Sequence, residues 1–344
     1  MGEMVEEIIL IGVVLLFVKD FEMPLAIYKL MALEKRLNAG QCVKAEVTSE
    51  LARRLAGHKG EQSLLYYLQQ LPEKEYFIFH NLRLPLGEFY FQIDFLVLTT
   101  RFALLLETKN IMGTLFFDSA FGQLIRMKDG EENGFQDPIT QAKRQQEKLG
   151  AWLLKHCGLR ISIEYFVVVS NPASIIRTDP GKAYLFQCVI HSDKLPERIN
   201  GLNSKFKMDI LDQRGVKRVS KLLLKSHRPA EYNALGRFGL SPADICKGVK
   251  CGACGRLRME RLYGKWYCAY CDNNDANAHI SALKDYFYLI KPTITNQEFR
   301  EFMLLESPDV AKRLLNELNL DYSGSNKGRI YYPKASVEEI SASL

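Results

Sequence analysis

FQIDFLVLTTRFALLLETKN, residues 91–110, reads as two β-strands joined at Thr100-Arg101, each carrying charge where core is expected. Asp94 interrupts the first apolar run, and Glu107 and Lys109 interrupt the second. A tight turn at Thr100-Arg101 pairs the strands antiparallel with Asp94 facing Glu107. The turn lacks Asn-Gly chemistry, so a slip of one residue stays open. The strand period of two puts Glu107 and Lys109 on one face. Buried carboxylates repel each other and resist desolvation unless a cation joins them. A hard divalent ion, Mg²⁺ or Mn²⁺, suits this donor set: it takes carboxylate oxygens, keeps waters and leaves room for a phosphate. Lys109 beside it could orient or deprotonate an attacking water. The plainer alternative is a buried Glu–Lys or Asp–Lys ion pair that only fixes the sheet. Several ionisable groups gathered in one place favour a functional site over that alternative.

The surrounding sequence supplies a fold for the pair. VTSELARRLAGHKGEQSLLYYLQQLP (residues 47–72) has helical spacing, with Glu61, Leu64, Leu65 and Leu68 on one face and Pro72 where the helix stops. Glu61 therefore sits on an apolar face able to cover the strand pair. Further strands are expected near 76–82, 113–118 and 123–127. Asp137-Pro138 is an N-cap and first position for a helix running to about Lys155. Gln141 and Gln145 lie on the face of that helix shared with Leu149 and Trp152, where an amide needs partners. They reach the site or cap a sheet edge. ISIEYFVVVS (161–170) is a central strand, and FQCVIHS (186–192) adds another. Residues 20–40 look helical, as does the basic stretch 193–228. The expected class is α/β, a mixed sheet flanked by helices.

GEQSLLYYLQQLPEKEYFIFHNLRLP, FQIDFLVLTTRFALLLETKNIMGTL and FQDPITQAKRQQEKLGAWL resemble the nuclease-related domain, NERD. That family is assigned to the restriction-endonuclease-like, PD-(D/E)xK phosphodiesterase superfamily. The resemblance runs from about Leu51 to Pro172. Glu107-Thr108-Lys109 matches the superfamily's ExK element, Asp94 its strand aspartate and Glu61 its helix glutamate. The resemblance implies that Asp94, Glu107 and the Thr108 carbonyl bind Mg²⁺, that Lys109 assists the water, and that Gln141 takes part as helix glutamines do in related nucleases. It implies a nucleic-acid substrate, DNA ahead of RNA. The histidines lack metal-ligand spacing, and His58, His80 and His191 read as structural or surface residues.

Cys251-x2-Cys254 and Cys268-x2-Cys271, thirteen residues apart, have the spacing of two knuckles that point four thiolates at one Zn²⁺, with a hairpin about Gly264 between them. Such a closed site is structural, holding a module too small for its own core. Arg256, Arg258, Arg261, Lys265, Trp266 and Tyr267 give the module charge and stacking surface. Further on, Thr295 to Glu298 forms a capping box, Ser307-Pro308 opens a second helix, and LDYSGSNKGRIYY (320–332) reads as two strands about a glycine turn. This is the pattern of a winged helix-turn-helix, with Lys312, Arg313 and Asn316 on the second helix and Lys327 and Arg329 on the wing. Residues 281–344 hold eight Lys or Arg against nine Asp or Glu, so docking of a protein partner or a second copy competes with DNA binding. The expected division is an N-terminal extension (1–44), the nuclease-like domain (45–230), the zinc ribbon (246–280) and the winged-helix module (281–335).

Composition agrees with a folded globular chain: 344 residues, 47% hydrophobic, 25% charged. The net charge of +6 is uneven, for Lys205–Arg228 holds eight Lys or Arg against two Asp, a patch suited to a polyanion. Of eight cysteines, four are paired in spacing and four scattered, as in a reducing, cytoplasmic compartment rather than a disulfide scaffold. The uncharged run Ile8–Val18 is too short to span a bilayer as a helix and is preceded by Glu3, Glu6 and Glu7 where a signal peptide carries positive charge. No integral membrane span is expected. A catalytically inactive nucleic-acid-binding protein and a protein-binding adaptor are the competing functional readings.

Overall fold

A computed structural model describes residues 17–38, 40 and 42–334, the side chains of Ala183 and Lys327 excepted. Of the apolar run at 8–18 only Phe17 and Val18 fall among them. The chain forms two compact units, one reaching to Glu22 and resuming over Ala56–Ala230, the other built from Met23–Leu55 and Glu231 onward. Strand β1 (Phe17–Lys19) and helices α1 (Leu25–Arg36) and α2 (Val43–Leu68) come first, and the boundary between the units falls inside α2.

In the first unit, β2 (Phe77–Leu86), β3 (Phe89–Leu98) and β4 (Phe102–Lys109) form an antiparallel meander. Then follow β5 (Thr114–Asp118), β6 (Gln123–Lys128), β7 (Glu131–Gln136), α3 (Pro138–Cys157), β8 (Ser162–Val169), β9 (Ile175–Thr178), β10 (Val189–His191), α4 (Leu195–Lys205) and α5 (Gln213–Ser226). The main sheet has the order β1-β2-β3-β4-β8-β10, with β8 parallel to both β4 and β10. This is the mixed sheet expected from the sequence. One face packs Phe95, Leu104 and Leu106 against Leu64 and Leu68 of α2 and Ile199 of α4. The other packs Leu96, Leu98 and Leu105 against Leu149 and Trp152 of α3 and Val219 of α5. A sheet covered on both faces needs apolar residues at both parities, which is why residues 95–98 of β3 and 102–106 of β4 read as apolar runs. A second sheet, β7-β6-β5-β9, packs Leu115, Phe117 and Leu124 against Ile139 and Ala142 of α3.

The stretch 193–228 is not one helix. It breaks between α4 and α5, where the Ile210 and Leu211 amides both donate to the Thr100 carbonyl, at 2.9 and 3.0 Å, and the Thr100 hydroxyl bonds Asp209. These bonds to the β3–β4 turn replace helical ones that the local sequence would otherwise make.

The second unit adds α6 (Ala234–Arg237), β11 (Val249–Lys250), β12 (Leu257–Leu262), β13 (Lys265–Tyr267), β14 (Asn274–Asp275), α7 (Ala278–Leu289), β15 (Ile294–Thr295), α8 (Asn296–Met303), α9 (Pro308–Glu317), β16 (Leu320–Ser323) and β17 (Ile330–Pro333). Strands β11 to β14 form one small sheet, and β15-β17-β16 another, entirely antiparallel. Thr295 and Glu298 make the capping box at α8, and Ser307 caps α9. Arg36 of α1 is fully buried, bound to Asp285 of α7 at 2.9 Å and to the carbonyls of Cys246 and Gly248. It thereby fixes the chain leading into β11. Among the described residues no helix is long and apolar enough to cross a membrane.

Candidate active site and metal centres

The strand pair has the register read from the sequence. Phe95 pairs with Leu106 and Leu98 with Ala103, so continuing the ladder brings Asp94 opposite Glu107, with no slip. The backbone ladder ends at Phe95–Leu106. Beyond it the Thr108 amide donates to Asp94 Oδ2 at 2.9 Å, so the aspartate stands where a β3 carbonyl would have been. Here β2 and β3 also change the core they face. Asn81 takes a left-handed φ of 52°, between the His80–Phe95 and Leu82–Ile93 pairs, and Phe95 packs on the α2 side while Ile93 packs on the α3 side. A local distortion of this kind re-aims side chains, and the one between the two pairs on β3 is Asp94.

Glu107 and Lys109 project toward α3, following Leu105 by the strand period. Lys109 Nζ donates to Glu107 Oε1 at 2.6 Å and to Gln141 Oε1 at 3.2 Å. Gln141 thus reaches the lysine from the first turn of α3, which is held by Asp137 accepting from the Ile139 and Thr140 amides. Gln145 does not join these contacts; its buried Oε1 has no partner among the described residues. Glu61 arrives from α2. Its neighbour Gly60 lies against the end of β4, where an added Cβ would come within 2.5 Å of the Asn110 Cβ and 2.7 Å of the Ser170 hydroxyl. Asn110 in turn donates to the Ala56 carbonyl at 2.7 Å. The absence of a side chain at Gly60 lets the helix sit close enough to deliver Glu61.

Glu61, Asp94 and Glu107 therefore share one partly dry volume. Burial is the main cause that raises all three carboxyls, and mutual repulsion adds to it: Glu107 acts on Glu61, Glu61 on Asp94, and Asp94 on Glu107. Glu61 is pushed up to about 7. Lys109 opposes the rise at each, but one ammonium faces three acids. A set of hard oxygen donors with one cation too few fits a divalent ion. Asp94 and Glu107 are the residues that could hold such an ion, with Lys109 Nζ bonded to Glu107 beside them.

His80 belongs to the surroundings of this site. Its ring is fully buried and Nε2 lies 2.7 Å from Glu61 Oε2. The signal was available: His80 interrupts the apolar strand FIFHNL as Asp94 interrupts the next one. The sequence alone reads His80 as a structural or surface residue, and the structure places it buried beside Glu61.

In the second unit, Cys251, Cys254, Cys268 and Cys271 bring their sulfurs within 4.8 Å of one another. Cys251 and Cys271 are 3.7 Å apart and Cys254 and Cys268 3.5 Å. Zn–S bonds of about 2.3 Å in a tetrahedron place sulfurs roughly 3.8 Å apart, so the donor set fits zinc without rearrangement. Between the knuckles β12 and β13 join through Tyr263 and Gly264, both at positive φ (46° and 82°), as a two-residue hairpin of the primed type requires. Amides of Cys254 and Ala253 bond the Cys251 sulfur and favour its thiolate.

Residues 56–170 match the family model of the nuclease-related domain, NERD, which covers Glu61, the strand pair and Gln141 and suggests a nuclease-related function. No curated protein matches the chain. Among solved structures, protein VC1899 from Vibrio cholerae is similar at 16% identity over 53% of this chain and 50% of that one, with a TM-score of 0.23. The chain spans half the length of that relative, and at this TM-score the likeness carries no argument.

Proposed function

We propose that the protein is a metal-dependent nuclease of the PD-(D/E)xK type that hydrolyses phosphodiester bonds in DNA. The observation that carries this reading is the convergence of Glu61, Asp94 and Glu107 with Lys109 in hydrogen-bond reach of both Glu107 and Gln141. Asp94, Glu107 and the Thr108 carbonyl would hold Mg²⁺ or Mn²⁺, which when bound lowers the pKa of a water and stabilises charge on a phosphate. Glu61 adds a third acid from the helix side. Lys109, oriented by Gln141, is placed to position the attacking water and offset charge that develops on the phosphoryl oxygens. Support for a polyanionic substrate comes from α5, whose Val216, Val219 and Leu223 are buried while Arg214, Lys217, Arg218, Lys221 and Lys225 are exposed. None of these five forms an ion pair among the described residues.

In the second unit the four cysteines serve a structural zinc. The α8–α9 pair with its small antiparallel sheet serves as a winged-helix module that binds DNA or a protein partner, a second copy of the chain included. The direct test is incubation of the purified protein with labelled single- and double-stranded DNA and RNA, with Mg²⁺ or with EDTA. Mg²⁺-dependent cleavage of DNA is expected. Binding that is salt-sensitive but never followed by cleavage would replace the enzyme with a nucleic-acid-binding protein, and absence of both would leave an adaptor.

A further inference from the structure

We propose that His80 is a positioning residue for Glu61, holding its carboxylate toward the acidic site through a hydrogen bond from the ring; this rests on the metal-dependent reading of that site. The ring is boxed on apolar surfaces. Phe21 lies 4.3 Å from it between centroids and Phe95 5.1 Å, and His58 of α2 stacks on Phe21 at 4.6 Å and 16°. An imidazole in such a box loses its hydration, and Glu61 Oε2 at 2.7 Å, with the Asp20 backbone also in reach, offsets the loss. A phenylalanine would fill the same space more cheaply, so the polar ring answers a need of Glu61 rather than of the core.

The proton count fixes the role of each partner. An ionised carboxylate only accepts hydrogen bonds. When Glu61 carries the charge that a cation requires, the proton between the two groups must lie on His80 Nε2. A donor at Nε2 fixes one carboxylate oxygen of Glu61 and leaves the other to act on the site. Partners of this kind typically contribute about 10–100-fold to metal affinity or activity.

Three full-length proteins test this: wild type, His80→Phe, which keeps the aromatic box without a donor, and His80→Gln, which restores an Nε donor. Mn²⁺ binding is followed by calorimetry, and the imidazole tautomers by histidine ¹⁵N NMR. With diamagnetic Mg²⁺ bound, wild-type His80 should carry a proton on Nε2. The Mn²⁺ dissociation constant should rise about tenfold or more in His80→Phe and recover toward wild type in His80→Gln. An Nδ1–H tautomer in the Mg²⁺-bound wild type, or equal Mn²⁺ affinity in His80→Phe, overturns the inference and spares the nuclease reading. A wild type that binds no Mn²⁺ overturns both. The tautomer measurement needs no variant, so a substitution that fails to fold does not remove the test.

Discussion

Lys109 sits where two demands meet: its ammonium offsets the acids around it, and its placement suits a developing negative charge. Glu107 and Gln141 both hold it, so its orientation does not depend on substrate. Lys109→Ala should therefore lower the rate of cleavage by about 10²-fold or more while leaving substrate affinity near wild type, since the interaction is made in the transition state. Single-turnover rates and a binding titration in Ca²⁺ check the split; equal loss in both would mean that the lysine only binds. His227 shows what a half-buried base does to stability. Its Nδ1 accepts the Arg83 amide at 3.1 Å, and burial, then the charges of Lys19, Arg228 and Arg83, lower its pKa from 6.5 to about 4. The unfolded chain thus binds the extra proton between those two values, and stability should fall as pH drops from 6.5 toward 4. His227→Asn retains an acceptor without the titration, so its melting temperature should fall less steeply with pH than that of wild type. Parallel pH profiles would show that His227 is already charged in the folded state.

At the scale of elements, α5 is the clearest division of labour, with one stripe for the core and the opposite one for solvent. Replacing Lys217, Arg218 and Lys221 together by Gln should weaken DNA binding and flatten the slope of log K against log salt by up to about 3, while sparing cleavage at saturating substrate. An unchanged salt slope would move the contact surface elsewhere. The helix also marks how far the sequence could be read. Strands β3 and β4 were legible because residues 95–98 and 102–106 are buried at both parities, and the acids beside them stood out against apolar neighbours. Strand β7, EENGFQ, was not legible, because an exposed edge strand needs no apolar alternation. The break before α5 was hidden for another reason: it is made by bonds to Thr100, distant in sequence. Glu61, Asp94, Glu107, Lys109 and Gln141 were all read from spacing and resemblance and lie together. His80, whose meaning depends on Glu61 being beside it, needed the third dimension.

For the whole molecule, the two units carry different donor sets, buried carboxylates in the first and four clustered cysteines in the second. Zinc should be present at one ion per chain, and Cys251→Ser or strong chelation should lower the melting transition of the second unit and leave that of the first in place. Differential scanning calorimetry with elemental analysis checks this; a chain purified free of zinc with an unchanged profile would refute it. The course of α2 carries a further consequence. Its Val47 and Leu51 belong to one core and its Leu64 and Leu68 to the other. A fragment cut to begin at Ala56, where both the family match and the first unit resume, would start in mid-helix. Its leading amides would lack partners, and the first turn would fray. That turn contains the Ala56 carbonyl that Asn110 clasps, and Glu61 follows directly after it. Excision at the apparent domain border would therefore loosen Glu61, and a fragment made to test the proposed function should begin no later than Val43.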